Sequence, residues 1–236
     1  MAEESLSQQV NTEETENDSV TTFWVAVSPF FSSSLYILSY GKQLGEKDTS
    51  FMTIYDPAGN IINRVRLDYV VGGVQRVEMD MLLGNCKLEN GIRHAVVVIN
   101  SPAKTKFACC FEQGGNRSFI GELKPFYSDS PCFLPVTFSK KMACFIPIVN
   151  FGKKFATVKI RLYMGSKTAD SEVSLTPNAT CLFCPDLEFS EFFELANEDE
   201  KKICYLKITT HSDELLGVQQ IDCAYVNDNI EYSSIC

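Results

Sequence analysis

The sequence contains few of the residues and motifs on which catalysis usually depends. Its 236 residues include only two histidines, His94 and His211, and neither lies in a recognisable catalytic signature. Histidine is the side chain that most often acts as a general base or activates a nucleophile. The phosphate-binding patterns G-x-x-x-x-G-K-S/T and G-x-G-x-x-G are both missing. We therefore predict a protein that is not an enzyme and requires no cofactor.

Long apolar runs and export signals are also missing. The longest nearly uncharged apolar stretch covers about residues 142–151 and is interrupted by Pro147, whereas a membrane-spanning helix needs about 20 apolar residues. The first residues are acidic, unlike the basic start of a secretory signal. These observations predict a cytoplasmic protein with no transmembrane segment. The ten cysteines are then expected to be reduced, and mostly small apolar core residues.

Positive charge is scarce overall and absent from the start of the chain. The net charge is −9, which repels phosphate backbones and argues against nucleic-acid binding. Residues 1–22 include six acidic residues and no Lys or Arg. Because such a segment buries too little apolar surface to offset the entropy of ordering, we predict a disordered acidic tail over residues 1–22.

The remainder of the chain aligns with itself at a shift of about 108 to 111 residues. Residues 51–55 match residues 159–163, and residues 94–99 fall opposite residues 203–208. The order of the elements carries this match more than the identities do. A fixed-period repeat predicts two copies of one domain. We place the first domain at residues 23–120, a linker at 121–131 and the second domain at 132–236.

Each copy is patterned as β-strands. Val158, Ile160 and Leu162 alternate with polar or amphipathic residues, as expected for a half-buried strand. Turn signals such as Asp56-Pro57-Ala58-Gly59 separate the runs. Several short strands per domain with frequent turns are typical of an antiparallel sandwich. The predicted fold class is all-β, with two tandem antiparallel β-sandwich domains.

The second copy resembles a known group of sandwich domains. Its residues 145–152 form an apolar strand that ends in an Asn-plus-Gly turn, residues 158–163 form a strand that ends in Tyr163, and residues 218–222 form a Val-x-Gln strand. This pattern resembles small bacterial β-sandwich modules of the sensory-rhodopsin-transducer-like type. The resemblance implies a non-catalytic binding or signalling module that often forms oligomers, and it supplies no functional residues.

One third of the basic residues fall in a segment that has no acidic ones. No Asp or Glu occurs between Pro131 and Ala169. The cations there are Lys140, Lys141, Lys153, Lys154, Lys159, Arg161 and Lys167. Lys159 and Arg161 share the outward face of a predicted strand. One interpretation is that these cations only protect a sheet edge from pairing with other chains. The functional interpretation is a docking surface for an acidic protein, an anionic headgroup or phosphate. The acidic tail of the chain itself, folded back onto this surface, would compete with such a partner.

Two further groups of residues are candidates for contacts. Phe51 and Tyr55 are apolar and outward in the first copy, so we predict that they lie at an interface between the domains or with another subunit. Cys181 and Cys184 form the only C-x-x-C pair, and Cys204 and Cys223 could complete a zinc site with them. In a strand the residues of such a pair point to opposite faces, so we expect no metal here.

The functional hypothesis is therefore a non-enzymatic protein–protein interaction or adaptor module. Its contact surface is the basic face of the second domain, formed by Lys153, Lys154, Lys159, Arg161 and Lys167. We expect a protein partner, and an acidic one if the positive charge of this face determines the choice. Formation of homo-oligomers is an open alternative. The second hypothesis is binding of a small ligand such as a carbohydrate in a cleft between domains or subunits.

Overall fold

A computed structural model describes residues 18–29, 31–40, 44–89, 91–113, 115–139, 142–193, 202–212, 214–226 and 229–235. In these ranges the chain is all-β apart from two helices of four residues each. The strands pair antiparallel in four sheets, two in each half of the chain. The predicted fold class, two tandem antiparallel β-sandwich domains, is confirmed. Neither of the described helices is long or apolar enough to cross a membrane.

The first half forms two sheets. Its strands are β1 (Asp18–Val27), β2 (Ser32–Ser39), β3 (Lys47–Tyr55), β4 (Ile61–Val70), β5 (Val74–Glu78), β6 (Leu88–Glu89), β7 (Ile92–Pro102), β8 (Thr105–Gln113) and β9 (Asn116–Ile120). Sheet A has the order β1-β7-β3-β4, with β6 paired to β7, and sheet B has the order β5-β2-β8-β9.

The second half repeats this arrangement. Its elements are β10 (Lys124–Phe126), β11 (Cys132–Phe138), β12 (Met142–Asn150), β13 (Ala156–Met164), β14 (Lys167–Leu175), β15 (Thr180–Phe183), α1 (Pro185–Glu188), α2 (Ser190–Phe193), β16 (Lys202–Thr210), β17 (Leu216–Val218), β18 (Ile221–Val226) and β19 (Asn229–Ile235). Sheet C has the order β10-β17-β12-β18-β19, and β15 also pairs with β12. Sheet D has the order β11-β16-β13-β14.

The strand orders show that the two halves are similar. The order β1-β7-β3-β4 of sheet A matches the order β11-β16-β13-β14 of sheet D. The sequence alignment pairs residues 51–55 of β3 with residues 159–163 of β13, and residues 94–99 of β7 with residues 203–208 of β16. The aligned segments therefore occupy equivalent strands.

Two boundaries differ from the prediction. Residues 1–17 of the predicted disordered tail lie outside the described residues. Residues 18–22, the rest of that tail, form the start of β1, where Asp18–Thr22 pair with Val98–Pro102 of β7. Backbone pairing and the β-branched Val20, Thr21 and Thr22 account for a strand that apolar content alone did not predict. The predicted linker, 121–131, also contains a strand, β10, which pairs with β17.

The strand β12 lies between two hydrophobic cores. Cys144, Ile146 and Ile148 belong to the core of the second half. Ala143 and Val149 belong to the core of the first half. Successive side chains of a strand point to opposite faces of its sheet, so sheet C packs against a core on each side. Leu182, Cys184 and Ile221 of the second half also belong to the first core.

Sheet A is buried on both faces along the middle of β1. Phe23 and Val25 of β1 are fully buried on one face, and Trp24, on the other face, is only 1% exposed. Backbone contacts join the halves beside this core. The N–H of Thr180 donates to the carbonyl of Pro57 at 2.9 Å, and the hydroxyl of Thr176 donates to the carbonyl of Ala58 at 3.2 Å. The halves therefore share a core and a hydrogen-bonded turn contact.

Gly59 provides a test of this contact. Its φ is +88°, and a Cβ there would lie 2.4 Å from the carbonyl oxygen of Pro177. We expect Gly59→Ala to lower the free energy of unfolding by about 1–2 kcal/mol for the left-handed backbone and by about 1–3 kcal/mol more for the overlap. Urea unfolding curves measure this change.

Gly91→Ala is the matched control. Gly91 also has a positive φ, +79°, but a Cβ there meets no atom within 4 Å. Gly91→Ala should therefore lower the free energy of unfolding only by the contribution of the left-handed backbone, about 1–2 kcal/mol. Equal losses for the two variants would show that the 57–59 turn does not pack tightly against the second half.

Candidate binding surface

The outer face of sheet D is open to solvent. On β13, Val158, Ile160 and Leu162 are fully buried in the second core, and Lys159 and Arg161 between them are exposed. The sequence pattern predicted this alternation. The remainder of the face comes from β11, β14 and β16. The sequence predicted a strand at residues 203–208, within β16, but did not assign these three strands to this face.

Two rows of side chains cross this face. In register they are Phe133, Lys207, Arg161 and Asp170 in one row, and Pro135, Tyr205, Tyr163 and Thr168 in the other. Phe133 is 60% exposed, Tyr205 56% and Ile203, farther along β16, 67%. The ammonium group of Lys207 lies 5.9 Å from the centroid of the Phe133 ring, within range of a cation–π contact. The face thus combines exposed aromatic and aliphatic groups with cations.

Acidic neighbours offset much of the positive charge. The Arg161 guanidinium donates to both oxygens of Asp170, at 2.6 and 2.9 Å. These hydrogen bonds hold the pKa of Asp170 below its usual value. Glu172 lies opposite Lys159 in the register. The acid-free segment ends at Ala169, inside β14, and the hairpin folds Asp170 and Glu172 back beside the cations.

A groove on this face has a volume of about 480 Å³. Its charged lining residues are Lys159, Arg161, Lys207, Asp170 and Glu172, which are three cations and two anions. Among the salt bridges found in the described residues, none involves Lys159 or Lys207. These two lysines are the cations available to a partner.

The five predicted contact cations do not form one cluster. Lys153 and Lys154 lie in the loop before β13, whereas Lys167 begins β14 opposite Met164, at the far end of β13. These ends are about 26 Å apart at the usual rise per residue of a strand. The backbone N–H of Lys153 donates to the Glu214 carboxylate at 2.6 Å. Lys140 and Lys141 lie outside the described residues.

The predicted interface residues Phe51 and Tyr55 are not buried between the halves. Phe51 is 58% exposed and Tyr55 is half-buried on the same face of β3. The halves meet instead through the first core and the 57–59 turn. A contact of Phe51 and Tyr55 with another subunit stays a prediction.

The remote metal candidates are separated by the fold. Cys181 packs against the second core, and Cys184 belongs to the first. Burial raises the pKa of Cys181 and of Cys204 to about 11, which disfavours the thiolate that zinc requires. The side chain of Cys223 lies outside the described residues. Within the described part of the chain, no group of three or more His, Cys, Asp or Glu side chains could hold a metal ion.

His94 lies in a buried hydrogen-bonded chain. The indole N–H of Trp24 donates to Nδ1 of His94 at 3.2 Å. Since an indole can only donate, Nδ1 accepts and the proton sits on Nε2, which lies 2.7 Å from the Glu89 carboxylate. The hydrogen bond from His94 holds the pKa of Glu89 below its usual value. These hydrogen bonds anchor β1, β6 and β7 to one another. The sequence gave no signal for this arrangement, because His94 belongs to no recognisable motif.

A cleft between the halves adjoins the outer face of sheet D. This inter-half cleft has a volume of about 240 Å³. Its lining includes Phe119, Gly121, Phe133, Pro135, Gln219 and Gln220. Phe133 and Pro135 also belong to the two rows on sheet D, so the cleft and that face are continuous.

Two buried glutamines line this cleft. Gln219 is 7% exposed and Gln220 is 3% exposed. The Nε2 group of Gln219 donates to the carbonyl of Gly121 at 3.4 Å, and that of Gln220 donates to the carbonyl of Pro135 at 2.7 Å. The Oε1 atoms of both glutamines are buried and accept no hydrogen bond from any described residue. Each glutamine thus keeps one buried acceptor that is not hydrogen-bonded within the described residues.

Asp222 interacts with both Gln220 and the partly buried carboxyl group of Asp186. The Nε2 group of Gln220 also donates to the Asp222 carboxylate, at 3.0 Å to Oδ2. Burial raises the pKa of Asp186 to about 7, and the charge of Asp222 adds to this effect. A hydrogen bond from the backbone of Cys144 acts in the opposite direction.

No protein-family model matches this sequence, and no curated protein is significantly similar to it.

Asp186 provides a pH test. Because its pKa in the folded chain is raised to about 7, its contribution to stability is full below the unfolded pKa, near 4, and is lost as pH rises towards 7. We expect Asp186→Asn to unfold at a higher urea concentration than the wild type at pH 8. The gap should narrow or close at pH 5, where the wild-type carboxyl group is mostly protonated.

Glu191→Gln, an exposed change in the neighbouring helix α2, is the control and should show no such convergence. A constant difference between Asp186→Asn and the wild type from pH 5 to pH 8 would contradict the raised pKa.

Proposed function

We propose that this protein is a non-enzymatic module that binds a partner protein through the outer face of sheet D. The observation that carries the proposal is a difference between equivalent positions of the two halves. Val96 and His94 of β7 are 2% and 0% exposed, whereas Tyr205 and Ile203, at the equivalent positions of β16, are 56% and 67% exposed. At these positions the outer face is buried in the first half and exposed in the second.

The composition of the open face supports a protein contact. Aromatic residues and Arg are enriched in protein interfaces, and energetically dominant residues are most often Trp, Tyr and Arg. The centre of this face is formed by Tyr205 and Tyr163, which lie side by side in the register. Phe133 and Ile203 extend it as exposed apolar groups. Scattered exposed apolar residues are ordinary, but a contiguous set on a sheet face is typical of an interaction site.

Charge narrows the kind of partner. The groove contains Lys159 and Lys207 outside any salt bridge of the described residues, beside the Arg161–Asp170 pair. Such a surface favours a partner with an apolar or aromatic centre and one or two acidic residues at the rim, where charges affect association rate and specificity more than affinity. A long polyacidic partner is disfavoured because Asp170 and Glu172 would repel it.

Site-specific photo-crosslinking tests this proposal. A photoreactive phenylalanine analogue replaces Tyr205 in one variant and Val74 in another. Val74 is also well exposed, at 68%, but lies on sheet B. We expect a saturable adduct from position 205 in extracts of the source cells and none from position 74. Excess unlabelled wild-type protein should compete, whereas protein carrying Tyr205→Ser and Lys207→Glu should not.

The adduct identifies the partner, and purified proteins then give a dissociation constant. Because a central aromatic residue contributes about 2 kcal/mol or more, we expect Tyr205→Ser to weaken binding at least tenfold without lowering the melting temperature. Lys106→Glu, an exposed change on β8, should have little effect. Binding that is indifferent to Tyr205 and Lys207 would refute the proposal. A sugar that raises the melting temperature and blocks the crosslink would favour the carbohydrate alternative.

A further inference from the structure

We infer that the acidic segment of residues 1–17 docks on an exposed part of the outer face of sheet A. One row of side chains crosses all four strands there, and its members are Val20, Asn100, Phe51 and Arg66. Val20 is 61% exposed and Phe51 is 58% exposed. We call this row, together with Arg64, the open part of sheet A. It is separate from the face of sheet D, so the inference goes beyond the proposed function.

Two arginines of the edge strand β4 give this surface positive charge. Arg64 and Arg66 are exposed and point to the same side of β4, about 7 Å apart along the strand. The Nε of Arg66 donates to Asp68 at 2.8 Å, and both side chains of this pair are more than half exposed. Arg64 takes part in none of the salt bridges found in the described residues. It is therefore a cation available to an acidic segment.

The segment before β1 is acidic and leads directly to this surface. Residues 1–17 contain five glutamates and no Lys or Arg. β1 begins at Asp18, two residues before Val20 of the row. Three strand spacings, about 14 Å, separate β1 from β4. Five extended residues span about 17 Å, so Glu13 and Glu14 can reach the two arginines.

The covalent tether explains why this segment, and not a separate acidic peptide, is the occupant. Exposed ion pairs are individually weak and are screened by salt, so a free peptide with the same charges would bind poorly. A short flexible tether holds its segment at an effective concentration in the millimolar range. Weak contacts are then enough to keep the segment over Phe51 for much of the time, and salt should release it.

A photoreactive phenylalanine analogue at position 51 of the full chain tests this contact. The matched control carries the analogue at position 155, where Phe155 is 57% exposed in the loop before β13. Irradiation, digestion and mass spectrometry should show a crosslink within one chain from position 51 to residues 1–17. Position 155 should give no such crosslink. Because the Debye length falls to about 3 Å in 1 M salt, the yield from position 51 should drop severalfold there.

Neutralising the glutamates separates attraction from mere proximity. A variant with Glu13→Gln, Glu14→Gln and Glu16→Gln should give a severalfold lower yield from position 51. The control variant also loses three exposed carboxylates, through Glu122→Gln, Asp129→Asn and Glu191→Gln. Its yield should match that of the parent protein.

A charge exchange tests the pairing itself. Arg64→Glu with Arg66→Glu should lower the yield, and so should Glu13→Lys with Glu14→Lys. The variant that combines all four changes should recover most of the crosslink, since attraction between the two sites is restored. Both arginines are exposed, and an unchanged melting temperature checks that the variants fold.

The outcomes decide the occupant of this surface. No crosslink from position 51 to residues 1–17, or a yield that is indifferent to salt and to both sets of charge changes, overturns the inference. A crosslink that joins two chains assigns the surface to a second copy and overturns it as well. The crosslink at position 205 tests the face of sheet D, so the proposed function and this inference can each fail alone.

Discussion

The structure depends on one constraint, which is that β12 must bury both of its faces. Ile146 and Ile148 fill the core of the second half, and Ala143 and Val149 pack into the core of the first. A fully buried aliphatic side chain contributes about 1.5–3 kcal/mol, so neither set can be left in water without a large loss. The two halves are therefore joined through a shared core and not only through a covalent linker. A strand buried on both faces reads as a continuous apolar run, and this explains the apolar stretch around Pro147.

This constraint makes two similar halves unequal. Sheet A and sheet D have the same strand order, but side chains of β1 and β7 on the outer face of sheet A are buried where those at equivalent positions of sheet D are exposed. At equivalent positions, Val96 is buried and Tyr205 is exposed. The open face carries the aromatic and charged groups that an interaction surface requires, and it runs into the cleft where Gln219 and Gln220 keep unused acceptors. The proposed partner site thus follows from this difference between equivalent sheets.

Local patterns in the sequence were sufficient for the fold class, the repeat and the outward direction of Lys159 and Arg161. Those features depend on residues two positions apart or on the order of strands. The charge balance of the site was not predictable in the same way, because Asp170 faces Arg161 only once the hairpin sets the register. The inter-half cleft joins segments about 100 residues apart, and its glutamines have no distinguishing local pattern. The hydrogen bond between Trp24 and His94 depends on pairing of the same long range.

The part of the outer face of sheet A formed by β1 and β7 around Trp24 and Val96 is closed, whereas the equivalent part of sheet D is open. The chain has one tryptophan, Trp24, which is 1% exposed on the closed face of sheet A. Acrylamide quenching of its fluorescence can be compared with that of a variant carrying Trp24→Phe and Tyr205→Trp, which moves the only tryptophan to the open face. The account predicts weak quenching and a blue-shifted emission for the wild type, and severalfold stronger quenching with red-shifted emission for the variant. Equal quenching of two folded proteins would contradict it.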